Sequence, residues 1–333
     1  MDDIIDLELE KIEKIIAKID SDPESEEVKE AEKHLWEKIY KKSGQGRRTG
    51  VGITAEGDML AAMGLRYGTE EATEFSEQVH KTIALEAYRS SVNMAKERGA
   101  FAIYDSEREK NNPFINRLKE ADPELYEEMK KYGRRNIACL TIAPTGTTSL
   151  MTQTTSGIEP VFMPVYKRRR KVNPNDPQTH VDFVDETGDA FEEYIVFHHK
   201  FVEWMTVNGY DPTKRYTQEE IDKLVEKSPY YKATSNDVDW LMKVKMQGRI
   251  QKWVDHSISV TINLPNDVDE ALVNRLYVEA WRSGCKGCTV YRDGSRSGVL
   301  LSTKKDKKDK KEELPPCKPP TVVEVRPKVL EAE

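Results

Sequence analysis

The stretch Ala143-Pro144-Thr145-Gly146-Thr147-Thr148-Ser149 combines residue types that open a helix with residue types that hold an anion. Proline and hydroxyl residues suit a first helical turn. Such a turn presents unpaired backbone N–H groups and the positive end of the helix macrodipole. Gly146 lets a ligand approach the backbone, while the threonines and Ser149 add hydroxyl donors. A phosphate would bind well there, although an ordinary capped helix has the same composition. A little further on, Gly157-Ile158-Glu159-Pro160 sets a single carboxylate before a proline. Glu159 could contact a substrate, a basic neighbour or a backbone amide, and a structural role is the expectation.

The thiols are the second place to look for chemistry. Cys285-Lys286-Gly287-Cys288 has the spacing of zinc knuckles and of thiol redox pairs. Zinc needs further ligands, and the sequence offers only Cys317 in a charged tail and histidines without paired spacing, so no metal is expected and Cys285 and Cys288 read as packing residues. Cys139 follows the same logic as a buried small hydrophobe. Four cysteines in 333 residues are too few for a disulfide framework, which points to reduced thiols. The run Lys167 to Lys171 could attract phosphates, but a solvated loop is the expectation. His198-His199 lacks the spacing of a zinc helix and is assigned no role.

These residues need elements to place them. Met1 to Lys42 reads as one or two amphipathic helices, broken near Asp22-Pro23. Val51 and Ile53 suggest a strand that leads into helix over Ala55 to Met63. Phe75, Val79, Ile83, Ala87, Val92 and Ala95 keep helical spacing from Thr69 to Arg98, with Gly99 as the stop. Helix is also expected over Asn116 to Tyr132, Ala190 to Val207, Val238 to Trp253 and Val268 to Gly284. Short strands are expected at Ile137 to Ile142, Ser257 to Asn263 and Cys288 to Tyr291. This alternation predicts an α/β fold. The passage beyond Leu301 is too charged and proline-rich to bury, so residues 302–333 read as a disordered linker or tail.

A net charge of −7 argues against a nucleic-acid polymer as partner. The acidic start is unlike a secretory signal, and no run of about twenty apolar residues suits a membrane span, so a cytoplasmic protein is expected.

Four segments together resemble ribonucleotide reductases: RRTGVGITAEGDMLAAMGLRYGTEEA at 47 to 72, IAPTGTTSLMTQTTSGIEPVF at 142 to 162, QKWVDHSISVTINLPNDV at 251 to 268 and GCKGCTVYRDGSRSGVL at 284 to 300. The last looks most like the adenosylcobalamin-dependent, class II branch. The resemblance implies the C-terminal half of a ten-stranded α/β barrel over residues 43–301, after a helical lead-in at 1–42. It implies that Pro144, Thr145, Gly146, Thr147, Thr148 and Ser149 hold the substrate's phosphates, and that adenosylcobalamin is the cofactor.

In that family a thiyl radical on an Asn-x-Cys-x-Glu loop starts removal of the ribose 2′-hydroxyl, and a cysteine pair supplies electrons. No Asn-x-Cys-x-Glu occurs in this sequence, so no catalytic residue is assigned here. The radical cysteine is expected on a partner, an N-terminal reductase half, with a ribonucleotide substrate and a thioredoxin-like or dithiol reductant. The alternative is a non-enzymatic nucleotide-binding or assembly remnant.

Overall fold

A computed structural model describes residues 1–172, 181–184 and 189–293. It opens with two helices, α1 (Asp2–Ile19) and α2 (Glu26–Gly46), broken around Asp22-Pro23 as the sequence implies. Ser25 restarts the helix by accepting the Val28 amide on its hydroxyl at 3.5 Å. Ile5, Ile12 and Ile19 recur every seven residues and are buried where α1 packs on α2. The buried Asp2 carboxylate fastens the start of α1 to the rest of the molecule. It accepts from Arg47 Nε at 2.8 Å, Arg135 Nε at 2.9 Å and Asn136 Nδ2 at 3.1 Å.

The short α3 (Glu56–Ala62) leads to the long α4 (Glu70–Arg98), capped by Thr69, whose hydroxyl accepts the Ala72 amide. Ala72, Ala84, Tyr88 and Val92 line its buried face and form the spine of the main core. Each large apolar side chain buried there contributes about 1.5–3 kcal/mol relative to exposure. α5 (Ser106–Glu109), α6 (Pro113–Ala121) and α7 (Pro123–Tyr132) follow, the last two with proline in the first turn. α8 (Gly146–Thr152) begins inside the hydroxyl-rich loop.

Parallel pairings join the strand-like segments in succession. Val51 bridges Leu140, with its amide donating to Cys139 O at 2.7 Å, and Ile142 bridges Ile258. β4 (Thr261–Leu264) then pairs in parallel with β5 (Thr289–Arg292). Asp255 locks this ladder to α4, since its carboxylate accepts Tyr88 OH and the amides of Cys139 and Leu140. Gly52 is required beside it, because a Cβ there would lie 2.2 Å from Thr141 O. α11 (Trp240–Gln251) and α12 (Glu270–Arg282) cover β4 and β5 through Val244, Leu276 and Ala280 against Ile262 and Leu264. The fold is α/β as expected, but the described residues make an open parallel ladder and no closed barrel.

A second, antiparallel sheet corrects two expectations. Lys167 to Lys171 is no loop: it lies on β1 (Val165–Val172), which pairs along its length with β3 (Ala190–Phe197). Ala190 to Phe197 is therefore strand rather than helix, and only α9 (His199–Val207) beyond it is helical. β1 and β3 pair through eight positions of an antiparallel ladder, and complementary charge adds to it where Arg170 stands opposite Glu192 with the side chains 2.7 Å apart. β2 (Phe183–Val184) pairs on the far side of β3. α9 and α10 (Gln218–Lys227) pack beneath in a separate core containing Phe201, Met205, Ile221, Leu224 and Tyr230. The stretch KVNPNDPQTHVD at 171–182, whose Pro, Asn and Asp content reads as a surface excursion, lies outside the described residues over 173–180, as do the tail at 302–333 and Cys317.

Candidate functional site

The hydroxyl-rich loop leaves the parallel ladder at Ile142 and turns into α8 through Thr145, which sits in the left-handed region at φ 49°. The first backbone bond closing α8 runs from the Ser149 amide to Thr145 O at 2.8 Å. The amides of Gly146, Thr147 and Thr148 precede it and are the helix's orphan donors. Pro144, Gly146, Thr147 and Thr148 are exposed, and a Cβ built on Gly146 would meet nothing within 4 Å. This leaves open approach to the three amides and two threonine hydroxyls.

Thr145 and Ser149 do different work. Thr145 Oγ1 accepts the Gly157 amide at 2.8 Å and reaches Thr54 Oγ1 at 3.2 Å. Ser149 is buried, and its hydroxyl meets Ser156 Oγ at 2.7 Å. The turn at 155–157 thus braces both ends of the exposed stretch. It is braced in turn by α3, as the amides of Ala55 and Glu56 donate to Thr155 O at 2.9 Å and Gly157 O at 3.2 Å. Leu150 and Met151 stand on α8 beside the loop, 80% and 82% exposed.

Glu159 faces the end of the parallel ladder, where its Oε1 accepts the Thr261 amide at 2.9 Å. Of the three contacts open to it on sequence, this is the backbone amide. Lys243 donates to the carbonyl of the same Thr261 at 2.6 Å. Burial pushes the Lys243 ammonium down to about 8, against the opposing pull of Glu159 and Cys288.

Cys285 and Cys288 pack with the α11–α12 cluster at the start of β5. Burial, reinforced by Cys288, pushes the Cys285 thiol up to about 12; burial also raises Cys288, with Lys243 opposing. Cys139 is buried at the ladder and pushed up to about 12 by burial and then by Asp255. Thiols raised this far are poor thiolate nucleophiles at neutral pH.

Three residues with no sequence signal join the site from behind. Asp58 on α3 accepts the Thr155 amide, His198 Nε2 and the Tyr230 hydroxyl. Their separations of 97, 140 and 172 residues explain why no spacing rule finds them. On the basic strand, Arg170 and Lys171 pair with Glu192 and Asp189. No helix among the described residues is long and apolar enough to cross a membrane.

Comparison with known proteins adds the wider context. The family model described as "Ribonucleotide reductase, barrel domain" matches residues 25–291. A vitamin B12-dependent ribonucleoside-diphosphate reductase of Mycobacterium tuberculosis is 30% identical over 264 residues, covering 77% of this chain and 33% of that protein. The protein of the same name from Thermoplasma acidophilum is 30% identical over 292 residues, 87% of this chain and 34% of its own length. A ribonucleoside-diphosphate reductase subunit alpha of Chlamydia pneumoniae is 25% identical over 280 residues. The chain spans about a third of the length of the first two relatives.

Proposed function

Because this chain belongs to the ribonucleotide reductase barrel-domain family, we propose that it forms the substrate-phosphate-binding part of an adenosylcobalamin-dependent reductase acting on ribonucleoside diphosphates. The observation that carries the reading is the exposed run Gly146–Thr148, with orphan amides and free approach, braced at Thr145 and Ser149. Backbone N–H groups in such a turn hold phosphate oxygens with little reorganisation, and the two threonine hydroxyls complete the set. Glu159 acts from the ladder end by fixing Thr261 rather than by touching the phosphates.

The net reaction replaces the ribose 2′-hydroxyl by hydrogen, with a dithiol oxidised to a disulfide and water released. Adenosylcobalamin, when bound, supplies the radical chemistry. Of this chain's surfaces near the loop, the exposed Leu150 and Met151 suit contact with a large apolar group. No Asn-x-Cys-x-Glu occurs in this sequence, so the radical cysteine and its loop are assigned to a partner polypeptide that completes the ten-stranded barrel.

Replacing Thr147 and Thr148 with glutamate tests the assignment. Both residues are exposed, so the unfolding midpoint is expected to stay unchanged while nucleoside diphosphate affinity in the assembled enzyme falls by about tenfold or more, the cost of at least one lost charge-assisted hydrogen bond. Unchanged affinity would remove the phosphate assignment.

A further inference from the structure

We propose that Asp58 is a positioning residue for the substrate phosphates, setting the loop from behind through the 155–157 turn. The inference rests on the phosphate reading of Gly146–Thr148. Asp58 is buried on α3, and its carboxylate is held on both sides. Oδ2 accepts the Thr155 amide at 2.8 Å, and Thr155 Oγ1 accepts the Asp58 amide in return at 3.3 Å. Oδ1 accepts His198 Nε2 at 2.8 Å and Tyr230 OH at 2.9 Å. Three directional bonds in a buried setting fix a carboxylate in position and in rotation.

The fixed carboxylate controls the loop through the two residues next to Thr155 in the chain. Ser156 meets the Ser149 hydroxyl, and the Gly157 amide donates to Thr145 Oγ1. Thr145 and Ser149 flank the three open amides, so a displacement of Thr155 moves both anchors of the binding stretch. His198 and Tyr230 belong to the other core: Tyr230 packs edge-on against His198 and Phe201 with ring centroids 6.1 and 5.9 Å away. Asp58 is therefore the joint through which the antiparallel-sheet lobe sets the aim of the phosphate loop. The hydrogen bonds of the three side chains run to one another and to Thr155, not to the exposed threonines, which makes their role positioning and not catalytic.

The test is steady-state kinetics of the assembled reductase with a ribonucleoside diphosphate. Asp58→Ala leaves the Thr155 amide unpaired and is expected to raise KM by about tenfold while kcat stays within about threefold. Asp58→Asn is expected to restore KM, since its carbonyl accepts Thr155 while its NH2 faces His198 in the other tautomer. Should Asp58→Ala fail to fold, the pair His198→Ala with Tyr230→Phe frees only Oδ1 and should raise KM in the same direction. Unchanged KM in a folded Asp58→Ala or in that pair overturns the proposal, as does a parallel fall of kcat that Asp58→Asn does not rescue. If the Thr147 and Thr148 substitutions weaken binding and the Asp58 variants do not, only the positioning role falls. If neither moves KM, the phosphate reading falls with it.

Discussion

Glu56 and His80 face each other at 3.4 Å, each 2% exposed, between the start of α3 and the middle of α4. Glu56 Oε1, Ser76 Oγ and His80 Nε2 have no hydrogen-bond partner among the described residues. Burial pushes the Glu56 carboxyl up to about 7 and the His80 imidazole down to about 4. The signs oppose. A carboxyl raised from 4.5 contributes stability that is present below pH 4.5 and lost as pH rises to about 7. An imidazole lowered from 6.5 contributes stability that is present above pH 6.5 and lost as pH falls to about 4. In the native protein the two slopes largely cancel between pH 4.5 and 6.5. Glu56→Gln keeps the shape and removes one slope, so its stability is expected to climb from pH 4 to 6.5 and to exceed the native protein's at pH 8 by on the order of 3 kcal/mol. Urea unfolding midpoints at pH 4.5, 6 and 8 check this, and parallel profiles for the two proteins would contradict it. At this scale, contiguity governs what is legible in the sequence. The hydroxyl-rich loop stands in seven consecutive residues, whereas Glu56–His80 and Asp58–His198–Tyr230 exist only once α3, α4 and the second core have met.

Among the elements, α11 meets the C-cap of α12 at a glycine. A Cβ on Gly248 would lie 2.5 Å from both Cβ and O of Ser283. Gly248→Ala is expected to push α12 away from α11 and cost about 1–3 kcal/mol, the usual penalty of overpacking. Thermal unfolding measures it, with Gly146→Ala as the control in open space; equal midpoints for the two variants would mean that the helix contact yields freely. Elements with a strong period of their own are legible. α4 needs only its apolar stripe, Thr69 and Gly99 to be placed, and the Asp22-Pro23 break divides α1 from α2. The parallel segments can be located but not their pairings, because Val51 and Ile142 each contribute a single bridge. β1 and β3 escape such a reading because their stability lies in pairing with each other position by position, which no single-segment period records.

For the molecule as a whole, the parallel ladder stays open among the described residues and several apolar side chains are exposed, surfaces that the proposed partner half would cover. Leu150 and Met151 stand beside the hydroxyl-rich loop, and Trp281 on α12 is 79% exposed. Unsatisfied strand edges and uncovered apolar faces favour association. The α/β class and the family are legible in sequence because long motifs stand in order along the chain, from Arg47 to Leu300. The open ladder is not, since closure depends on which strands sit beside one another. The most direct measurement is deoxynucleotide formation from a ribonucleoside diphosphate with adenosylcobalamin and a dithiol, comparing this chain alone, a partner bearing Asn-x-Cys-x-Glu alone, and the two together. Product is expected only from the mixture. Product from this chain alone, or none from the mixture, would contradict a phosphate-binding part that borrows its radical cysteine.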